Sequence, residues 1–127
     1  MLEHDQAPRR LGQLCSMRIE RTLGAVLIRL HGEFDLSCVE RFEDELGGVL
    51  ERETQALTLD LCGLRFVDST GLRMLITLNR RTKAAGIEYT ILCGEGAVRH
   101  ILMETGLDGV LPVVSPHGAV PRSDSPV

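Results

Sequence analysis

The apolar positions between residues 14 and 114 follow two alternating rhythms. Met17, Ile19 and Leu23 stand among polar neighbours, the pattern of a half-buried strand, and Gly24 then breaks the chain. Ala25 to Leu30 is a nearly continuous apolar run, so two strands joined at Gly24 read as a hairpin. Ser37 with Glu40 three residues later has the spacing of a capping box, which predicts a helix start. Val39, Phe42, Leu46, Val49 and Leu50 then form one stripe, and Gly47 and Gly48 weaken the helix end. Ala56 to Leu61 reads as a short strand and Leu72 to Ala85 as a second helix stopped by Gly86. In that helix Leu72, Met74, Leu75, Ile76 and Leu78 share an arc, with Arg73, Arg80 and Arg81 opposite. Ile87 to Leu92 is a further strand, and Ala97 to Thr105 a third helix with Val98, Ile101 and Leu102 inward and Gly106 as its stop. Gly109 to Val114 reads as a last short strand. The order β-β-α-β-α-β-α-β predicts a single α/β domain. Its sheet would be mixed and mainly parallel, of four to five strands, with three or more helices packed on it.

The prolines mark the limits of that domain. All five, Pro8, Pro112, Pro116, Pro121 and Pro126, lie toward the ends of the 127 residues. The domain is therefore placed at 14–114, behind a flexible segment 1–13 and ahead of a Pro/Ser-rich disordered tail at 115–127. Aromatic residues are 3% of the chain, so the core must be aliphatic and base-stacking nucleic-acid modules are disfavoured. A net charge of -4 argues in the same direction, against a binder of phosphate backbones. No run approaches the roughly 20 apolar residues that span a bilayer. Nor does Met1 to Gln13 hold the apolar stretch of a secretory signal, so the expectation is a cytoplasmic protein that engages no nucleic acid and no membrane. Cysteines at 15, 38, 62 and 93 lack metal-ligand spacing, and most read as small buried apolar residues. No resident cofactor or metal is expected. Lys83 is the one lysine, so lysine chemistry has a single candidate.

Candidate chemistry concentrates in Phe66-Val-Asp-Ser-Thr-Gly71, between the strand ending near Leu61 and the helix starting near Thr70. Ser69 is thereby placed at a helix N-terminus, where unpaired N–H groups and a partial positive charge tolerate a phosphate. The plainer reading is that Asp68, Ser69 or Thr70 caps the helix. Enzyme motifs fit poorly. Val67 replaces the first glycine of a nucleophile elbow around Ser69. No P-loop pattern occurs, and Gly94-Glu-Gly96 alone is weak evidence for phosphate binding. A receiver-domain reading resting on Asp60 fails because Lys83 falls within a helix.

Three segments resemble the STAS-domain anti-sigma factor antagonists of bacterial partner-switching systems. Leu30-His-Gly-Glu-Phe-Asp35 is similar to that family's G-E-hydrophobic-D segment. Leu59 through Asp68-Ser-Thr-Gly-Leu72 is similar to its strand, loop and D-S-[ST]-G-L signature, and Ala97 to Leu107 to its third helix and Gly-Leu exit. The resemblance implies a non-enzymatic regulator phosphorylated at Ser69 by an anti-sigma factor that is itself a serine kinase, ATP being used by that partner. In that scheme the unphosphorylated antagonist binds the anti-sigma factor and frees a sigma factor, and a phosphatase reverses the modification. Asp35, Ser37, Asp68, Ser69, Thr70 and Gly71 are then the candidate partner-binding residues. Asp35 reads equally as a turn residue before a Ser37 cap. Thr70 departs mildly from a second serine and keeps a hydroxyl as cap or minor acceptor. The alternative within the same fold is a STAS scaffold or accessory subunit of a stress-signalling or transport assembly for lipid or anion.

Overall fold

The computed structural model describes residues 2–4, 7–50 and 53–116. Among the described residues seven strands form one sheet: β1 (Leu2–His4), β2 (Arg9–Arg10), β3 (Cys15–Thr22), β4 (Ala25–Phe34), β5 (Ala56–Val67), β6 (Glu88–Leu92) and β7 (Val113–Val114). Three helices connect them, α1 (Leu36–Gly47), α2 (Ser69–Ala85) and α3 (Ala97–Glu104), and a 3₁₀ turn at Leu107–Gly109 leads into β7.

The sheet order is β1-β3-β4-β5-β6-β7, with β2 also on β3. The expected hairpin is present: β3 and β4 are antiparallel around Gly24, which turns at φ +77. From β4 onward every pairing is parallel. The sheet exceeds the five strands read from periodicity because β1 and β2, too short to show a rhythm, pair antiparallel with β3. In the head of the chain, read from sequence as flexible, Leu11 is 3% exposed and belongs to the core. Of the Pro/Ser-rich tail, residues 117–127 lie outside the described residues.

Successive parallel strands advance in one direction, and crossovers of one hand then place their helices on one face. Burial alternates accordingly. Leu57, Leu59 and Leu61 of β5 are buried, while Thr58 and Asp60 between them are half-buried on the other face. The core joins Met17, Ile28, Leu30, Leu57, Leu59 and Ile91 of the sheet to Phe42 and Leu46 of α1, Leu75 and Leu78 of α2, and Leu102 of α3. The open face carries an ion-pair ladder, with Arg29 bonded to Glu20 at 2.5 Å and 3.5 Å from Asp60.

Three boundaries differ from the sequence expectation. Helix α1 is not capped by a Ser37–Glu40 box. Asp35 is its N-cap: its Oδ1 accepts from Ser37 N–H at 3.0 Å, while Cys38 Sγ accepts from Asp35 N–H at 3.3 Å. Strand β5 does not stop at Leu61 but continues to Val67, across register shifts against β4 between Arg29 and His31 and between Gly32 and Glu33. The loop expected before α2 is therefore reduced to Asp68 alone. The last stretch, read as a strand over 109–114, is a 3₁₀ turn followed by two strand residues.

Candidate functional site

Two parallel strands end side by side, Phe34 of β4 in register with Val67 of β5. Each is followed by one aspartate and then a helix, Asp35 before α1 and Asp68 before α2. Two helix N-termini thus open next to each other at the carboxyl edge of the sheet, where α/β folds place their sites. The strand geometry brings Asp35 and Asp68 together although 33 positions separate them in the chain.

Asp68 ties the two ends to each other. Its N–H donates to the Phe34 carbonyl at 3.2 Å. Its Oδ1 accepts from Gly71 N–H at 2.9 Å, capping α2, and its Oδ2 accepts from Leu36 N–H at 3.1 Å, in the first turn of α1. One carboxylate thus satisfies orphan donors of two helices, and both helix dipoles favour its negative charge. The capping role left open between Asp68, Ser69 and Thr70 belongs to Asp68.

Gly71 is buried where α2 meets the end of β4. A Cβ there would lie 2.6 Å from the Phe34 carbonyl oxygen and 2.6 Å from Val67 Cγ2. Only a hydrogen side chain lets the first turn of α2 approach β4 this closely.

Ser69 is the first residue of α2 and is exposed. Among the described residues nothing hydrogen-bonds its hydroxyl. Thr70 is half-buried beside it. Ser37 is exposed on α1, but its Oγ donates to Asp35 Oδ1 at 2.7 Å, so this hydroxyl is engaged where that of Ser69 is not. His100, one of the histidines unplaced by sequence, pairs instead with Glu104 of its own helix at 3.0 Å. No group of three or more metal-ligating side chains occurs among the described residues.

Periodicity did not point to the apolar flank of this site. Leu36, whose N–H meets Asp68, is 71% exposed, and Phe66, two residues before Asp68, is 43% exposed. A strand ending at Leu61, as periodicity predicts, leaves Phe66 in a loop and gives it no face. A strand running to Val67, with Val67 inward, puts Phe66 outward by alternation.

Comparison with known proteins bears on this arrangement. The family model described as STAS domain matches residues 16–118. No curated protein matches the chain by sequence. Among solved structures, the fold is similar to an anti-sigma factor antagonist from Mycobacterium paratuberculosis, at 24% identity and a TM-score of 0.71, covering 80% of this chain and 86% of that one. It is similar to the antagonist SpoIIAA in its unphosphorylated form, at 23% identity and a TM-score of 0.66, covering 87% and 98%. The phosphorylated form of the Bacillus protein matches at 22% and 0.61, covering 84% and 98%. SLC26A9 matches at 20% and 0.64, over 78% of this chain and 19% of that one.

Proposed function

The chain belongs to the STAS domain family, and on that premise we propose that it is an anti-sigma factor antagonist switched at Ser69. Unphosphorylated, it binds an anti-sigma factor that is a serine kinase and so frees a sigma factor. Phosphorylation of Ser69 by that kinase, with ATP, ends the binding, and a phosphatase restores it. The observation that carries this reading is the Ser69 hydroxyl, exposed and unengaged at the start of α2, directly after the N-cap Asp68. Asp35, Ser37, Asp68 and Thr70 shape the surface that meets the partner around it, and Gly71, expected from sequence among the contacts, is buried and instead sets how closely α2 seats on β4.

The physics of the switch follows from charge and space. A phosphoserine brings about -1.5 to -2 charge at neutral pH. The folded chain tolerates it, because the N-terminal end of a helix favours an anion. A docked partner does not, because the phosphate adds bulk and charge beside the Asp68 carboxylate in a surface that must lose its water. A loss of about 3 kcal/mol weakens binding roughly a hundredfold, sufficient for a switch. Ser69→Asp is therefore expected to bind the anti-sigma factor much more weakly than the unmodified protein while melting at nearly the same temperature.

The direct test is incubation with the cognate kinase and ATP followed by mass mapping. Label confined to Ser69 supports the assignment, and label that persists in Ser69→Ala overturns it. The second reading, a scaffold or accessory subunit of a transport assembly, draws on the fold shared with SLC26A9. Recovery of transporter components and no kinase in a pull-down would favour it.

A further inference from the structure

We propose that the cleft between β2, the start of β3 and the ends of β4 and β5 binds the phosphate group of a small soluble molecule. This inference does not depend on the partner-switching reading. The cleft, about 260 Å³, holds Arg10 of β2, Gln13 of the following loop, Ser16 of β3, His31 of β4 and Arg65 of β5. Register explains the convergence: Arg10 pairs with Ser16, and Ser16 with His31, so the three project from one face of neighbouring strands.

The lining is selective in its chemistry. Its polar side chains are two guanidinium groups, an imidazole, a hydroxyl and an amide, and no carboxylate lines the cleft, although the whole chain carries a net charge of -4. Among the described residues, Ser16 Oγ and the His31 ring have no hydrogen-bond partner, so both are available to a ligand. Guanidinium forks match the oxygens of a phosphate in geometry as well as charge.

Two glycines build the cleft in advance. At Gly32, φ is +100 and a Cβ would sit 1.8 Å from the Leu14 carbonyl oxygen, so the loop before β3 closes directly onto the backbone of β4. The Glu33 N–H fastens that contact by donating to the same Leu14 oxygen at 2.7 Å. At Gly63 a Cβ would lie 2.6 Å from His31 Cδ2, so the imidazole rests on bare backbone. One acidic group opposes the ligand from outside the lining: Glu33 Oε2, 3.6 Å from Arg65. Removing its charge frees the guanidinium, so the proposal carries predictions of both signs.

The test is a two-dimensional amide NMR titration of the full chain with inorganic phosphate and, separately, with adenosine monophosphate. Sodium chloride at matched ionic strength is the reference. Saturable shifts at Ser16, His31 and Gly32 are expected with phosphate and not with chloride. Arg10→Gln and Arg65→Gln should each weaken binding by about tenfold, Glu33→Gln should tighten it, and Arg80→Gln on α2 should leave it unchanged. Arg10, Arg65 and Arg80 are exposed and Glu33 is half-buried, and the amide spectrum reports directly whether each variant folds. Tighter binding of the nucleotide than of inorganic phosphate assigns the site to a phosphate monoester, and the reverse assigns it to the free ion. Shifts that rise without saturation, or an affinity indifferent to Arg65→Gln and Glu33→Gln, overturn the proposal.

Discussion

Asp68 is the residue on which the site turns, because its two oxygens serve two helices. Asp68→Ala leaves the first-turn donors of Gly71 and Leu36 without their acceptor. The expected cost is about 1–3 kcal/mol, read as a lower urea midpoint, since a single N-cap is worth about 0.5–2 kcal/mol. Asp68→Asn keeps one acceptor oxygen and should lose less. Gly71→Ala tests space rather than hydrogen bonding. With backbone and Val67 each 2.6 Å from the new methyl, α2 must move, and overpacking of this kind costs about 1–3 kcal/mol despite the better helix propensity of alanine. A Gly71→Ala protein as stable as the parent in urea would refute the close approach. The sequence marked Asp68 and Gly71 as interesting through their motif. It did not give Asp68 its second helix, because the Leu36 donor arrives from another segment of chain. It also misassigned the cap of α1. Ser37 and Glu40 have the spacing of a capping box, but the helix starts two residues earlier, directly after β4, so Asp35 takes the capping position.

At the scale of elements, α1 buries Cys38, Phe42 and Leu46, of which Phe42 is the largest. Phe42 is fully buried and meets Phe34 edge to face, with ring centroids 5.1 Å apart. Phe34 in turn supplies the carbonyl that receives Asp68 N–H and the surface against which Gly71 packs. Phe42→Ala should therefore cost about 3–5 kcal/mol and also loosen the site. In hydrogen exchange, the amides of Leu36 and Gly71 should lose protection along with α1, whereas a purely local effect would spare Gly71. Helix positions were readable because their apolar arcs repeat over several turns. The second half of β5 was not: two register shifts and Gly63 disturb its alternation, and its pairing with β4 appears only when both strands are placed.

For the whole molecule, the cysteines make stability depend on alkaline pH. Burial pushes the Cys15, Cys38 and Cys93 thiols up from 9.0, and the Tyr89 hydroxyl up from 10.0. Partial desolvation and Asp60 push Cys62 up to about 11, but this thiol is exposed and solvent screening leaves it little weight in the balance. A group whose folded pKa is raised stays protonated in the native state while the unfolded chain ionises. The stability it contributes is thus complete below pH 9 and is lost as pH rises above it, by up to about 1.4 kcal/mol per pH unit for each fully linked group. Unfolding midpoints at pH 8 and pH 10 should show a clear fall, and Cys15→Ala, whatever its baseline, should flatten the slope. By itself the sequence determined the order of strands and helices, an aliphatic core, and the serine at the start of α2, because periodicity, glycine stops and one dense motif are local properties of the chain. Tertiary structure decided what lies side by side. It aligned Phe34 with Val67, gave one carboxylate to two helix ends, exposed Phe66, and gathered Arg10, His31 and Arg65 around one cleft. Those contacts join residues far apart in sequence, and the pairing of strands, which no local rhythm encodes, is what brings them together.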